Sequence, residues 1–146
     1  MAQYQFLQSD IEKIKEFEGC RLSAYRDSGG TWTIGHGHVS GVKSGQKISL
    51  AKAEEYLRQD LEIAGKQVES LGVCKTYSQY ISLTDFTFNL GIKSLKSSTL
   101  LELIKAGANK DAVQAQFRRW VFCKGKKLQG LVKRREWEAR RYYDEV

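Results

Sequence analysis

Residues 18–38, EGCRLSAYRDSGGTWTIGHGH, decide how the rest of the chain is read. A carboxylate, Glu18, stands directly before Gly19. A second, Asp27, follows nine residues later at the end of a strand-like run. Gly29 and Gly30 come next, then Thr31 and Thr33 around Trp32, then a Gly-His-Gly-His run from Gly35 to His38. Glycines that can take positive φ, set between β-branched and aromatic residues, are the mark of a tight hairpin. The stretch therefore predicts an acid just before a hairpin, with a second acid and a hydroxyl on the hairpin itself.

Upstream, Ser9 or Asp10 can cap a helix. Ile11, Ile14 and Glu18 recur at i, i+3 and i+7 and so share a face, and Gly19 is the natural stop. An acid on an apolar helix face is desolvated, which favours the protonated carboxyl that a general acid needs. The alternative is an exposed glutamate at a helix end. Asp27 is either a turn-forming aspartate or the second carboxylate of a pair facing each other across a cleft. Such a pair is the usual equipment for splitting a glycosidic bond. Thr33 either orients a water through its hydroxyl or is chosen for strand propensity.

Downstream, glycines punctuate residues 22–48, consistent with a small antiparallel sheet. Ser49 caps the strongest helical pattern of the chain: Leu50, Ala53, Leu57, Leu61, Ala64, Val68 and Leu71, with Gly72 as the stop. Everything after Gly72 reads as helical. Ile81, Thr84 and Phe88 mark one helix, and Leu100, Leu101 and Ile104 the next. Residues 111–121 and about 130–143 form the last two.

The chain has 146 residues, a net charge of +7, three cysteines and no proline. Its size suits one compact domain. No stretch approaches the apolar length of a membrane helix, and the N-terminal residues lack a basic segment followed by an apolar run. The expectation is a chain without signal peptide or signal-anchor. Cys20, Cys74 and Cys123 match no metal spacing and read as reduced thiols. His36 and His38 lack acidic or thiol companions at ligand spacing and read as hydrogen-bonded structural histidines rather than metal ligands. No cofactor motif is present.

The hairpin motif resembles that of the phage-type lysozymes, or endolysins, of glycoside hydrolase family 24. Their pattern of Glu-Gly, Tyr-x-Asp and Gly-x-x-Thr-Ile-Gly-x-Gly-His stands here as Glu18-Gly19, Tyr25-Arg26-Asp27 and Gly30 to His38. Phe88-Asn89-Leu90-Gly91, Ser98-Thr99-Leu100 and the run from Leu128 to Tyr143 match further blocks of the family. The resemblance implies an α+β, mainly α, lysozyme-like fold: a sheet-bearing lobe over about 10–50, a linking helix over about 49–71 and a helical lobe over about 76–146. These form a single catalytic domain. It implies hydrolysis of the β-1,4 bond between N-acetylmuramic acid and N-acetylglucosamine in bacterial peptidoglycan, by a water-mediated, inverting route. Glu18 is then the proton donor, Asp27 and Thr33 assist the water or stabilise the developing positive charge, and Asn89 is a candidate for contact with the glycan. His38 matches a structural histidine. His36 stands where a small or apolar residue is usual, and adds a polar contact near the cleft floor or none. A monomer held in the host cytoplasm until a holin releases it is the expected setting.

The basic residues from Arg118 to Arg141 read either as a solvated helix face, with stems over apolar surface, or as an attraction to anionic wall polymers or outer-membrane components. Trp137 and Tyr142 fit a membrane-surface helix or plain packing. Nucleic acid is not an expected partner, because no binding motif accompanies the charge. A catalytically silent wall-binding module and a lytic transglycosylase are the rival readings. The second needs one glutamate only and leaves Asp27 and Thr33 without purpose.

Overall fold

The computed structural model describes residues 4–146. In chain order the elements are α1 (Gln8–Glu18), β1 (Arg21–Arg26), β2 (Trp32–Gly35), α2 (Leu50–Glu69), α3 (Tyr77–Leu90), α4 (Ile92–Lys96), α5 (Thr99–Lys105), α6 (Lys110–Phe117), β3 (Phe122–Cys123), β4 (Lys126–Lys127) and α7 (Gln129–Tyr142). The expected class, mainly helical with a small antiparallel sheet, is what forms. Two compact units divide the described residues, Phe6–Glu62 and Ile63–Val146 with Tyr4 and Gln5, and α2 runs through the division.

In the first unit, α1 starts two or three residues earlier than the caps Ser9 and Asp10 suggest. Its N-cap is Leu7, without a side-chain bond. Ile11 and Ile14 are fully buried, as are Ile34, Ala53 and Leu61. β1 and β2 pair antiparallel, with Tyr25 opposite Thr33 and Arg26 opposite Trp32. On the other edge of β1, Ala24 N–H donates to Gln46 O and Ile48 N–H to Leu22 O, so the sheet-like region extends to Ile48 as its glycine punctuation suggests. Ser49 caps α2 through Lys52 N–H at 3.1 Å. Leu50, expected on the apolar face, is instead 67% exposed, because the first residue of a helix stands ahead of the packed turns. The apolar stripe begins at Ala53. Lys15 of α1 bonds Glu54 of α2.

In the second unit, Ala64 and Val68 of α2 are buried, and Gly65 permits the closest approach. A Cβ there would stand 2.0 Å from the Tyr80 hydroxyl of α3. Phe86 packs edge-on against Phe117 and Trp120, at 6.2 and 5.4 Å between ring centres. Ser98 and Asn109 cap α5 and α6. α6 stops at Phe117, so Trp120 and Val121 lie beyond it. Residues after Gly72 are not all helical. β3 and β4 form a short hairpin whose tip, Lys124 and Gly125, takes φ of 50° and 79°, the positive values a two-residue hairpin turn requires.

The reading of the basic C-terminal run as one solvated face is corrected by burial. Arg134, Arg135 and Arg141 are buried, and so are Trp137 and Tyr142, which settles packing over a membrane-surface helix. As α7 advances from Arg134 to Arg141, its partner on α3 steps back from Asp85 to Ser78, the signature of antiparallel helices. Arg134 grips Asp85 with two bonds of 2.9 and 2.7 Å. Arg135 reaches Asn89 at 2.6 Å and Glu138 at 3.1 Å. A charged residue appears at a core position only when such partners wait for it.

Burial alone would raise the Asp85 carboxyl, but Arg134, a hydrogen bond from Glu138 and Arg135 outweigh it and hold Asp85 below its ordinary 3.8. Glu138 is pushed well above its ordinary 4.5, first by burial against the pull of Arg135, then by Asp85. The raised Glu138 carboxyl donates a hydrogen bond to the Asp85 carboxylate, so the two titrate as a pair. The signs are opposite: stability from Asp85 is lost as pH falls, whereas that from Glu138 is present below 4.5 and declines as pH rises. Glu138→Gln should therefore gain on the wild type in urea-unfolding midpoint as pH is raised. Asp85→Asn, which unpairs a buried arginine, should lose about 3–5 kcal/mol at neutral pH. A deficit in Glu138→Gln that grows with pH would contradict the raised Glu138 carboxyl.

Candidate active site

Glu18 is the last residue of α1, and the backbone turns sharply after it. Gly19 has φ 68° and ψ −170° while its N–H still bonds Lys15 O. That combination is essentially closed to any residue with a Cβ, so the helix ends here by necessity. Glu18 is half-buried. Its carboxylate lies against the backbone of Gly37, where an added Cβ would come within 2.7 Å of Oε2. Gly37 also has φ +82°. The second glycine of Gly-His-Gly is therefore required twice, for its conformation and for the space it leaves.

The β1–β2 turn is built on Asp27. Asp27 N–H donates to Thr31 O and Gly30 N–H to Asp27 O. The Asp27 Oδ1 accepts from Gly29 and Thr31 N–H, both at 2.9 Å. Both bonds go to one oxygen, which leaves Oδ2 for a ligand or a water. The turn-forming reading of Asp27 is thus correct, and it does not exclude a second role. Because Asp27 stands opposite Thr31 and Tyr25 opposite Thr33, alternation puts Asp27 and Thr33 on one face as diagonal neighbours.

Thr33 is 4% exposed. Its hydroxyl donates to Thr31 O at 3.0 Å, so its lone pairs are what remains for a ligand. Arg21 lies over the Tyr25 ring at 4.0 Å, and Arg26 over Trp32 at 5.1 Å.

Both histidines are buried and hydrogen-bonded, as expected. His36 Nδ1 lies 2.7 Å from Gly19 O. His38 Nδ1 lies 2.8 Å from Asp60 Oδ2, and its ring stacks on Tyr56 at 4.1 Å. Ile34 and His38 exchange both backbone bonds at 2.9 Å, which closes the turn that presents His36 and Gly37. The roles of Gly37 and His36 beside Glu18 are not evident from sequence, although the Gly-x-Gly spacing hints at a close backbone approach.

Glu18, Asp27 and Thr33 all belong to the unit Phe6–Glu62. Asn89 belongs to the other unit, near the end of α3, where its Oδ1 accepts from Arg135. Its amide nitrogen is the group left to face a ligand. Cys20 and Cys123 are exposed free thiols, and burial pushes the Cys74 thiol up to about 11.

The geometry can be tested without a substrate. Gly37→Ala should cost about 1–2 kcal/mol from its positive φ, measured by thermal unfolding, and should displace the Glu18 carboxylate in a crystal structure. Gly41→Ala, at φ +70° with nothing within 4 Å, isolates the backbone cost and should leave Glu18 in place.

The family model described as phage lysozyme matches residues 15–138. An endolysin of Bacillus phage B103 is 43% identical over 135 residues, which cover 90% of this chain and 51% of that protein. The chain thus spans about half the length of that relative. Among solved structures, the endolysin from Escherichia coli O157:H7 phage FAHEc1 is 36% identical, with a TM-score of 0.83 over 99% of this chain and 96% of its own. The muramidase domain of SpmX from Asticcacaulis excentricus is 26% identical, with a TM-score of 0.84 over 96% and 98%.

Proposed function

We propose, from the premise that this chain belongs to the phage lysozyme family, that it is an endolysin of the muramidase type. Its reaction is hydrolysis of the β-1,4 bond between N-acetylmuramic acid and N-acetylglucosamine in peptidoglycan, with residues 1–146 as one catalytic domain. The observation that carries this reading is the Glu18 carboxylate, held against Gly37 at the end of α1 beside a hairpin bearing Asp27 and Thr33 on one face.

The chemistry follows from which atoms are already engaged. Glu18, as the acid, gives its proton to the glycosidic oxygen as the bond to the muramic acid carbon breaks. Asp27 Oδ2 accepts one proton of a water. Thr33 Oγ1, whose own proton is committed to Thr31 O, accepts a hydrogen bond from the other. A water that donates both hydrogens in this way points a lone pair elsewhere, towards the sugar carbon. The new carbon–oxygen bond forms from the face opposite the leaving group, which inverts the centre. The proton taken by Asp27 returns to solvent, and Glu18 is reprotonated.

The Asn89 amide is a contact for the glycan chain in the same proposal. Release of a monomeric enzyme from the host cytoplasm through a separate holin also belongs to it. No helix among the described residues is long and apolar enough to cross a membrane.

The wall carries anionic polymers, and residues 112–135 contain no acid. Arg119, Lys126, Lys127 and Lys133 are exposed there. They supply a long-range attraction to the wall that salt screens.

Purified peptidoglycan assayed for release of reducing ends tests the reading. Glu18→Gln and Asp27→Asn should each lose on the order of 10²–10⁴-fold in rate with the fold retained by circular dichroism. Thr33→Ala should lose about 10-fold, the worth of one hydrogen bond of about 1.4 kcal/mol. Wild-type activity in Glu18→Gln would sink the assignment. On intact walls, charge-driven binding should weaken as salt is added. Sedimentation with walls that ignores ionic strength would remove the role given to the basic surface.

A further inference from the structure

We propose that His36 is a positioning residue for Glu18, acting through the carbonyl of Gly19; this rests on the reading of Glu18 as the proton donor. A helix normally ends with carbonyls that lack partners, and its last turn frays. Here the acid is the last helical residue, the least favourable place for a group that must hold one geometry. The residue after it is tied at both ends instead. Gly19 N–H bonds Lys15 O at 2.8 Å, and Gly19 O receives His36 Nδ1 at 2.7 Å. A carbonyl oxygen only accepts, so Nδ1 carries the proton. That hydrogen is present in the neutral Nδ1–H tautomer and in the cation alike, so the tie does not depend on the charge of the ring.

The anchor behind His36 is firm. Ile34 and His38 close the turn by reciprocal backbone bonds. Gly35 packs tightly on Ala53 and Ile48, where an added Cβ would meet atoms at 3.2 and 3.3 Å. His38 is fastened to Asp60 and Tyr56. The same turn places Gly37 against the Glu18 carboxylate. One short segment therefore fixes the backbone just beyond the acid through His36 and borders the carboxylate through Gly37. His36 is 6% exposed, and a polar ring so placed needs a partner. Gly19 O is that partner.

Two substitutions separate positioning from packing. His36→Phe keeps a ring and removes the donor, whereas His36→Asn keeps a donor near the place of Nδ1. With soluble peptidoglycan fragments, His36→Phe should lower kcat about 10- to 100-fold with KM unchanged, and His36→Asn should recover most of the loss. Wild-type kcat in a folded His36→Phe would overturn the proposal. So would equal losses in both variants, which would mean packing alone.

A measurement on the wild-type protein decides the matter even if His36→Phe does not fold. Nitrogen NMR should find proton on Nδ1 and scalar coupling across the hydrogen bond to the Gly19 carbonyl. A neutral Nε2–H tautomer would overturn the tie. Activity surviving in Glu18→Gln would remove the functional reading while leaving this bond in place, so the two failures are distinguishable.

Discussion

A carboxylate rests against bare backbone at Gly37, and the rest of the candidate site depends on that contact. It needs a residue without a Cβ at φ +82°, and it needs the chain to leave α1 directly after Glu18 through Gly19. Those two glycines allow a helix end and a hairpin loop to meet more closely than side chains permit. His36 then bonds across the gap. The acid is thus set by backbone geometry, and the hairpin that receives it also carries Asp27 and Thr33. Their remaining acceptors are the ones a water can use, because Asp27 Oδ1 and the Thr33 proton are spent on the turn.

The helical unit holds itself by other means. Its apolar core is ordinary, but α3 and α7 are joined through buried arginines matched to Asp85, Asn89, Glu138 and Ser78. Buried ion pairs add little net stability over apolar packing, yet losing one partner is costly. Such a seam therefore favours one register of α7 on α3. It also takes three arginines out of the surface charge, so the exposed cations of this region are Arg119 on the α6–α7 connection, Lys126 and Lys127 on the β3–β4 hairpin, and on α7 only positions such as Lys133.

Much of this was legible in the sequence, for identifiable reasons. Periods of three and four residues mark α2 from Ala53 onward, and Ser49 and Gly72 bracket it, because burial and capping act locally. Glycines at residues 29–45 announce the hairpin region. Leu50 misleads because periodicity does not say where packing begins. The β3–β4 hairpin escapes notice because two-residue strands carry no period, and only Lys124-Gly125 signals the turn. Arg134, Arg135 and Arg141 look like a solvated face because their partners on α3, Asp85, Asn89 and Ser78, lie 49, 46 and 63 residues away in the chain. Asp27 and Thr33 are visible as residue types at hairpin spacing. The engagement of their individual atoms, and the tie from His36 to Gly19, exist only in three dimensions.

The most direct test of the account is the fate of water at the cleaved bond. Peptidoglycan digested in water enriched in heavy oxygen, with products read by mass spectrometry, should yield reducing N-acetylmuramic acid ends that carry the heavy atom. Anhydro ends without label would contradict hydrolysis and place the reaction with the lytic transglycosylases. Labelled ends appearing equally in Glu18→Gln would contradict the role given to the acid at the end of α1.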